Sequence, residues 1–337
     1  MTDIDQKPTL EIPEPPGRRR PARLAVLALV AVLLLGEGVA RILEPYLAFV
    51  PVWGSEDLDA KVDGMVALEG AGADVVFLGS SAVNRGFDGD LFADLTGLDA
   101  FNAAIDGSSP RLLEVFINEV VEPTLDPDIV IIGLTSRAFN DSALTQQELF
   151  DTYLNSTGRA EFLGTAPIKV SLETFAEKYS AFLRHRPALR NPKQLLDAIR
   201  GIELNAPPET TDPPYEVDEL WADQMATRSL AHYKIGDLEL GALARTVETL
   251  QAAGVRVILV DLPVVVEDWA ALHPDGIANT DAFHETLATF AAEHGVELIE
   301  TRGQTWPIEQ FRDPVHLNSV GQARLTRLLA DQIARSS

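Results

Sequence analysis

Cysteine is absent from the 337 residues of this chain. Its absence excludes disulfide frameworks, thiolate metal sites and cysteine nucleophiles. Basic residues are scarce: 27 Lys and Arg stand against 51 Asp and Glu, which leaves a formal net charge of −24. Because nucleic-acid binding needs a basic surface, this balance argues against a nucleic-acid partner.

Motifs for cofactors are missing as well. No glycine loop of the dinucleotide-binding or P-loop type is found. Four histidines of the second half of the chain do not stand at metal-ligand spacing to one another; they are His232, His273, His284 and His294. We therefore expect neither a metal nor another cofactor.

The N-terminal region has the pattern of a membrane anchor. Its first 17 residues are rich in proline and acidic residues, and an arginine cluster follows. The twenty residues from Leu24 to Leu43 contain only two charges, Glu37 and Arg41. As a helix this stretch is about 30 Å long, which matches the hydrocarbon core of a bilayer. We predict a disordered cytoplasmic tail over 1–23 and a retained transmembrane signal-anchor over 24–43. The chain would then be a single-pass protein of the cell membrane with an extracytoplasmic body.

Two other interpretations of this stretch remain open. The uncharged run Leu24–Gly36 also fits the hydrophobic region of a signal peptide, with Gly38-Val39-Ala40 as its cleavage site. A buried core helix is the third interpretation, although the preceding arginines do not fit it. With a retained anchor, residues 44–70 form a juxtamembrane linker or helix, and three aromatic residues form a belt at the outer interface; they are Tyr46, Phe49 and Trp53.

The remainder of the chain alternates between short apolar runs and helical patterns. This alternation predicts a parallel β-sheet covered by helices on both faces, with the ligand outside the carboxyl ends of the strands. The stretch of about 145–230 contains several prolines and does not follow this alternation. We interpret it as a mainly helical insertion that caps or flanks the site. The predicted strands are Val75–Leu78, Ala100–Ala103, Ile129–Ile132, Val255–Val260 and Val296–Ile299.

Three polar segments follow these strands or precede the last helix. Gly79-Ser80-Ser81 is a turn after the first strand, where a serine is exposed to a ligand but would also serve as an ordinary helix N-cap. Gly107, after the second strand, allows a close approach of its backbone N–H to a ligand, or is a plain turn glycine. Asp313 and His316 stand three residues apart, a spacing at which a carboxylate can orient an imidazole. An imidazole so oriented activates a serine hydroxyl.

Together these segments resemble the GDSL/SGNH hydrolase family, over roughly Val75 to Ala334. The block DPVHLNSVGQ is close to the Asp-x-x-His motif of the family, and Gly79-Ser80-Ser81 is similar to its Gly-Asp-Ser turn. The resemblance implies a flavodoxin-like three-layer α/β/α fold with a mostly parallel five-stranded sheet over 71–337. It also implies Ser81 as nucleophile, activated by His316 and Asp313, and an oxyanion hole that includes the backbone N–H groups of Ser81 and Gly107.

The segment after the third strand, which corresponds to the third conserved block of the family, departs from the family pattern. The family has the motif Gly-x-Asn-Asp after this strand, whereas this chain has Leu134-Thr135-Ser136-Arg137 there. The next asparagine, Asn140, lies several residues beyond the position of the asparagine in the family motif. Thr135, Ser136 or Arg137 would occupy the position of the missing oxyanion donor, and we take Ser136 as the candidate. Four further residues are candidates for substrate binding: Ser80, Arg85, Arg137 and Asn140.

This chain is similar to a divergent, membrane-anchored branch of the family, which shares its Gly-Ser-Ser turn, its N-terminal anchor and its altered segment after the third strand. That branch acts in cell-envelope polysaccharide acylation, as the alginate O-acetylation proteins do. The resemblance implies an esterase or O-acyltransferase that acts on an envelope glycan or another acyl ester, with a membrane-bound O-acyltransferase as a possible partner. The alternative is a non-catalytic polysaccharide-binding or scaffolding module on the same frame.

Overall fold

The computed structural model describes residues 19–44, 51–189 and 212–336. Of the predicted disordered tail 1–23, residues 1–18 lie outside the described residues, as do Tyr46 and Phe49. For residues 19–23 the prediction of disorder is wrong, because they form the start of the helix Arg19–Leu43. The chain divides into two units. Unit 1 comprises Met1–Val50 and Ile168–Asn205, and unit 2 comprises Pro51–Pro167 and Ala206–Ser337.

The sheet of unit 2 has five parallel strands in the order β2-β1-β3-β4-β5. The predicted parallel sheet is confirmed, and each predicted strand agrees with an observed one to within two residues at either end. The strands are β1 (Val75–Gly79), β2 (Ala100–Asn102), β3 (Ile129–Leu134), β4 (Arg256–Asp261) and β5 (Glu297–Glu300).

Helices of unit 2 cover the sheet and several of its loops. The helix of Pro110–Phe116 continues through a π-helical turn at Ile117–Val121. The helices, numbered together with those of unit 1 in chain order, are α1 (Arg19–Leu43), α2 (Glu56–Ala67), α3 (Ser81–Asn84), α4 (Gly89–Thr96), α5 (Pro110–Phe116), α6 (Glu122–Leu125), α7 (Leu144–Leu154), α8 (Thr157–Phe162), α9 (Ile168–Tyr179), α10 (Ala181–Arg184), α11 (Arg186–Leu189), α12 (Glu219–Gln224), α13 (Asp237–Ala252), α14 (Val266–Ala271), α15 (Ile277–His294) and α16 (Ser319–Ser336).

The core of unit 2 lies on both faces of the sheet. Because side chains alternate along a strand, Val76 and Leu78 of β1 join one apolar cluster, which includes Phe116 of α5. Val75 and Phe77 join a second cluster on the opposite face, with residues of α4 and α16. Apolar runs without polar alternation are therefore what this sheet requires, since both of its faces are buried. The result is the predicted three-layer α/β/α arrangement.

Unit 1 joins α1 to the helices α9, α10 and α11 of the predicted insertion, whereas α7 and α8 at the start of that insertion belong to unit 2. The carboxylate of Glu37 accepts hydrogen bonds from Ser180 Oγ (2.7 Å) and from the backbone N–H groups of Ala181 (3.1 Å) and Phe182 (3.2 Å). Those N–H groups open α10 and have no acceptor within their own helix. Arg41 forms an ion pair with Glu37 at 2.8 Å. The charge that interrupts the apolar run is thus satisfied within unit 1.

The prediction that Trp53 forms part of an aromatic belt at the membrane interface is wrong. Its side chain is buried in unit 2, where the indole stacks on Tyr153 with ring centroids 6.1 Å apart and meets Phe162 edge-on. Burying this large apolar surface stabilises the fold more than an interfacial position would. Residues 51–67, which the sequence analysis placed in a juxtamembrane linker, accordingly belong to the α/β unit through Trp53 and α2.

Candidate active site

Ser81 stands at the carboxyl end of β1, on a sharp turn into α3. The preceding Gly79 has φ +149°, in a region that L side chains rarely adopt. A Cβ on Gly79 would lie 2.3 Å from Val83 Cγ2 and 2.6 Å from the carbonyl oxygen of Gly133. The absence of a side chain at position 79 therefore lets α3 start directly at the sheet, with Ser81 as its first residue.

Ser81, His316 and Asp313 form a continuous hydrogen-bonded row. His316 Nε2 lies 2.7 Å from Ser81 Oγ, and His316 Nδ1 lies 2.6 Å from Asp313 Oδ2. The three side chains come from positions up to 235 residues apart, and the sheet edge brings them together. This arrangement allows the imidazole to accept the serine proton while the carboxylate holds the ring.

The turn that carries Asp313 and His316 is held at both ends. Phe311 and Leu317 form an antiparallel bridge, and the backbone N–H of Arg312 donates to the carbonyl of His316 at 2.8 Å. Inside the turn, Asp313 Oδ1 accepts hydrogen bonds from the backbone N–H groups of Val315 (3.0 Å) and His316 (2.9 Å). The second oxygen of the carboxylate is therefore aimed at the imidazole.

Asp313 remains ionised in this turn. Burial alone would raise the pKa of Asp313, but the hydrogen bond and charge of His316 and the two backbone N–H bonds together lower that pKa below its ordinary value. An ionised carboxylate stabilises the imidazolium that forms when a serine is deprotonated. The electrostatics of the turn are thus those that a general base requires.

Gly107 and Thr135 lie beside Ser81 and line the same cavity. Gly107 has φ +81°, and the hydroxyl of the next residue, Ser108, donates to the carbonyl of Gly79 at 2.8 Å. This bond ties the loop after β2 to the turn that carries Ser81. The backbone N–H groups of Ser81 and Gly107 are the candidate oxyanion donors, and Thr135 follows β3 at the same edge.

Ser136 does not occupy the predicted oxyanion position. Its side chain is buried, and its hydroxyl lies 2.8 Å from His273 Nε2 while accepting a hydrogen bond from Trp269 Nε1 at 2.8 Å. Ser136 is not among the residues that line the two described cavities beside Ser81. The hydroxyl of Ser136 is therefore committed to the packing of the loop, and Thr135 is the better candidate for the third oxyanion position.

The four predicted substrate-binding residues separate into two groups. Ser80 and Arg137 line the cavity with Gly107, and Arg85 lines a second cavity, where it lies 3.3 Å from Asp106. Asn140 is buried away from both cavities, where its side chain donates to the carbonyl of Ser229 at 2.8 Å and accepts from the N–H of Lys234 at 3.0 Å. Asn140 therefore holds two loops together and is not positioned to bind substrate.

A polar cluster supports the loop that carries Gly107. Asp57 of α2 accepts a hydrogen bond from the backbone N–H of Asp106 at 2.7 Å, and Lys61 donates to Asn84 Oδ1 and to the carbonyl of Asn102, both at 2.8 Å. Burial raises the pKa of Asp57 and lowers the pKa of Lys61. The cluster fixes the loop of residues 102–107 against α3, the helix that starts at Ser81.

Two cavities meet at Ser81 and His316. The larger, cavity 1, has a volume of about 570 Å³, and the smaller, cavity 2, has a volume of about 240 Å³. Trp221 of α12 lines both cavities, and its ring centroid lies 6.3 Å from that of His316. The second half of the insertion thus forms a wall of the site. Trp221 was not predicted as a site residue, because it stands in no recognisable motif, whereas Thr135 was one of the three alternatives for the third oxyanion position, of which Ser136 was chosen.

Within the described ranges 19–44, 51–189 and 212–336, no group of three or more His, Cys, Asp or Glu side chains is arranged to hold a metal ion.

Comparison with solved structures finds esterases and lipases. A GDSL-like lipase from Bacteroides thetaiotaomicron is 13% identical, covers 82% of this chain and 99% of its own, and has a TM-score of 0.44. An acetylxylan esterase from Geobacillus stearothermophilus, solved as a catalytic mutant, is 14% identical with coverages of 79% and 94% and a TM-score of 0.41. An aryl esterase from M. smegmatis is 10% identical, with coverages of 77% and 98% and a TM-score of 0.38. Neither a protein-family model nor a curated protein matches the chain.

Proposed function

We propose that this chain is a divergent GDSL/SGNH enzyme, a serine acyl-ester hydrolase or O-acyltransferase with Ser81 as its nucleophile. The observation that carries the proposal is the row of hydrogen bonds from Ser81 Oγ to His316 Nε2 (2.7 Å) and from His316 Nδ1 to Asp313 (2.6 Å). A serine alone is a weak nucleophile, and this row supplies the base and the orienting carboxylate that it needs.

The reaction proceeds in two halves. Ser81 Oγ attacks the ester carbonyl as His316 takes its proton, and the carbonyl oxygen becomes negative beside the backbone N–H groups of Ser81 and Gly107. The bond between the carbonyl carbon and the alcohol oxygen then breaks, and His316 returns the proton to the leaving alcohol. Water or a sugar hydroxyl attacks the acyl-enzyme in the same way, which releases an acid or a new ester and restores Ser81.

The experiment that tests this proposal uses the full chain in detergent. Wild-type protein should react with a fluorophosphonate probe and hydrolyse p-nitrophenyl acetate. Ser81→Ala should abolish labelling, and both Ser81→Ala and His316→Ala should lower kcat by at least about 10⁴-fold. Ser142→Ala changes an exposed serine outside the lining of both cavities and is the matched control. Wild-type protein that neither labels nor cleaves any ester would instead support a non-catalytic glycan-binding module.

Transfer and hydrolysis differ only in what captures the acyl-enzyme. We propose an envelope glycan as the acceptor or substrate, since cavity 1 is more than twice the volume of cavity 2 and has room for a sugar. A membrane-bound O-acyltransferase would supply acyl groups in the transfer reaction. Incubation with an acyl donor and candidate polysaccharides, followed by mass spectrometry, separates the two: an acylated glycan identifies transfer, and free acid alone identifies hydrolysis.

We also propose that α1 is retained as a membrane anchor, with residues 1–23 in the cytoplasm and unit 2 outside it. The segment Arg23–Leu43 is long and apolar enough to span a bilayer, and its apolar side chains up to Leu35 are exposed. Within unit 1, α9 exposes a second apolar row at helical spacing, which suits contact with lipid; the row is Ile168, Leu172, Phe175 and Tyr179.

Retention is favoured over cleavage by the contacts of the candidate cleavage site. Ala40 is fully buried within a continuous helix, and Glu37 binds the N-terminus of α10. Intact-mass analysis of the purified protein tests this point, since retention leaves residues 24–43 in place and cleavage after Ala40 removes most of them. Protease treatment of wall-stripped cells tests the orientation, because an extracytoplasmic unit 2 should be digested.

A further inference from the structure

Arg137 is a buried cation without an ionic partner. Its side chain lies in the 3₁₀ turn after β3, and the residue is only 7% exposed. Among the residues that the structure describes, its guanidinium makes one hydrogen bond, a long one from Nη2 to the carbonyl of Ser108 at 3.4 Å. No carboxylate among residues 19–44, 51–189 and 212–336 forms an ion pair with it.

Other arginines near the site are paired. Arg111 binds the buried carboxylate of Glu239 at 2.7 Å, and Arg228 binds Glu148 at 2.6 Å. Burying a guanidinium without a partner is costly, because the charge loses its hydration and gains no compensating bond. Burial lowers the pKa of Arg137 to about 10, against the opposing effect of Asp106 and Glu239, so the side chain is still charged at neutral pH.

Cavity 2, which Arg137 lines, has no acidic residue among its described lining residues. Its charged or ionisable lining groups are Arg137, Arg228 and His316, and apolar side chains such as Met225 and Val315 form other parts of its wall. Cavity 1, by contrast, is lined by Asp106, Glu216, Asp218 and Asp313 as well as two arginines. In a chain with a net charge of −24, a cavity without a carboxylate beside the candidate nucleophile is suited to an anion.

The candidate oxyanion donors place the ester carbonyl at the mouth of cavity 2, because Gly107 and Thr135 line this cavity and not cavity 1. The acyl chain and the alcohol leave the carbonyl carbon in different directions, and the two cavities that meet at Ser81 can receive one each. The larger cavity 1 suits the alcohol, which leaves cavity 2 for the acyl chain. The volume of about 240 Å³ suits a short acyl chain better than a lipid one.

We propose that Arg137 binds a carboxylate at the far end of the acyl group, so that the preferred substrate is a half-ester of a short dicarboxylic acid such as succinic acid. This inference rests on the proposed function and adds its substrate class. The planar guanidinium pairs with a carboxylate through two parallel hydrogen bonds, a geometry that a lysine does not provide. The bound carboxylate supplies the partner that Arg137 lacks.

The chemistry is that of the proposed acyl transfer. Ser81 Oγ forms a bond to the ester carbonyl of the half-ester, and the alcohol leaves with the proton held by His316. The succinyl group remains on Ser81 while its free carboxylate stays on Arg137. Attack by water or a sugar hydroxyl then releases succinate or a succinylated sugar, and the proton of the attacking group passes through His316 back to Ser81.

Two esters of equal chain length test the inference. The mono-p-nitrophenyl ester of succinic acid and p-nitrophenyl butyrate differ chiefly in the terminal carboxylate. Full-length wild-type protein in detergent should show a kcat/KM at least about tenfold higher for the succinate ester. Arg137→Met should lower kcat/KM for the succinate ester by about 10- to 100-fold more than for butyrate, mainly through KM. Arg137→Lys should retain part of the preference, since the charge remains.

Arg245→Met is the matched control. Arg245 is an exposed arginine of α13 paired with Glu114, so its removal changes the net charge equally but outside both cavities. It should leave the substrate preference as in the wild type. Thermal unfolding of each variant verifies that it is folded before the kinetics are compared.

The outcomes separate this inference from the proposed function. Protein that reacts with fluorophosphonate at Ser81 and prefers butyrate overturns the inference and leaves the serine enzyme intact. Equal losses on both esters in Arg137→Met also overturn it, and would make Arg137 an oxyanion donor or a structural residue. Protein that neither labels nor cleaves either ester overturns the proposed function itself.

Discussion

Gly79 and Gly133 are paired residues at the carboxyl ends of β1 and β3, and Val83 of α3 packs over both of them. A Cβ on Gly79 would lie 2.3 Å from Val83 Cγ2, and one on Gly133 would lie 2.5 Å from the same atom. The short helix that starts at Ser81 can therefore sit directly on the sheet. This close approach places the Ser81 hydroxyl within hydrogen-bonding distance of His316.

Gly79→Ala should disrupt this contact. The new methyl group would overlap Val83 and the Gly133 carbonyl, and φ +149° is unfavourable for alanine. We expect a loss of about 2–4 kcal/mol in the free energy of unfolding and a large loss of kcat. Gly97→Ala is the control: it has φ +74° but open space around the methyl position, so it should cost only about 1 kcal/mol. Urea unfolding measures both, and equal costs would contradict the steric argument.

Asp313→Asn should preserve the turn but impair the base. Asparagine can still accept the backbone hydrogen bonds that Asp313 Oδ1 receives from Val315 and His316. It carries no charge to stabilise an imidazolium and can favour the wrong tautomer of His316. We expect kcat for p-nitrophenyl acetate to fall by about 10⁴-fold with little change in Tm. Asp223→Asn, an exposed position on α12, is the control, and comparable losses in the two variants would argue against the assigned role.

Substitution of Thr135 should mainly lower the catalytic rate, whereas substitution of Ser136 should mainly lower the stability. Thr135 lines cavity 2, so Thr135→Val should lower kcat by about 10- to 100-fold if its hydroxyl contacts the oxyanion. Ser136→Ala leaves Trp269 Nε1 and His273 without their partner and should cost about 1–3 kcal/mol of stability. Steady-state kinetics and urea unfolding of both variants decide the matter. A larger kinetic effect in Ser136→Ala would restore the original expectation.

His273 should make stability depend on pH. Burial lowers the pKa of His273 to about 4 from an ordinary value of 6.5. Between these values the unfolded chain binds a proton that the folded protein does not, so the free energy of unfolding falls as pH decreases. The stability that depends on neutral His273 is present above the unfolded-state pKa of 6.5. Between pH 7 and pH 5 we expect the free energy of unfolding to fall by about 2 kcal/mol because of this residue. His273→Gln should show a correspondingly flatter dependence of unfolding free energy on pH, and parallel curves for the two proteins would refute the assignment.

The strands were predictable because both faces of the sheet are buried. Val75–Gly79 and Ile129–Leu134 are apolar runs bounded by polar turns, a pattern that is local in the chain. The turn of Ser81 and the Asp313–His316 pair were also visible, since each is a short motif with its own chemistry. Trp221 was not, because a residue that lines a cavity need not carry any local pattern. Thr135 was one of three alternatives after the third strand, and the sequence could not choose between it and Ser136 because the choice depends on which side chain the loop buries. Trp53 was assigned to the membrane interface although it is buried against Tyr153, which lies 100 residues away in the chain.

The amino-acid sequence by itself determined the α/β architecture, the apolar N-terminal helix and the residues able to act as nucleophile, base and orienting carboxylate. These depend on periodicity and on spacings of a few residues. Tertiary structure alone decided that Ser81 and His316 meet at 2.7 Å, that Ser136 turns to His273, and that Arg137 is buried with no counterion among the described residues. Each of these depends on packing between segments more than 25 residues apart, and side-chain packing in three dimensions is not encoded in any local pattern.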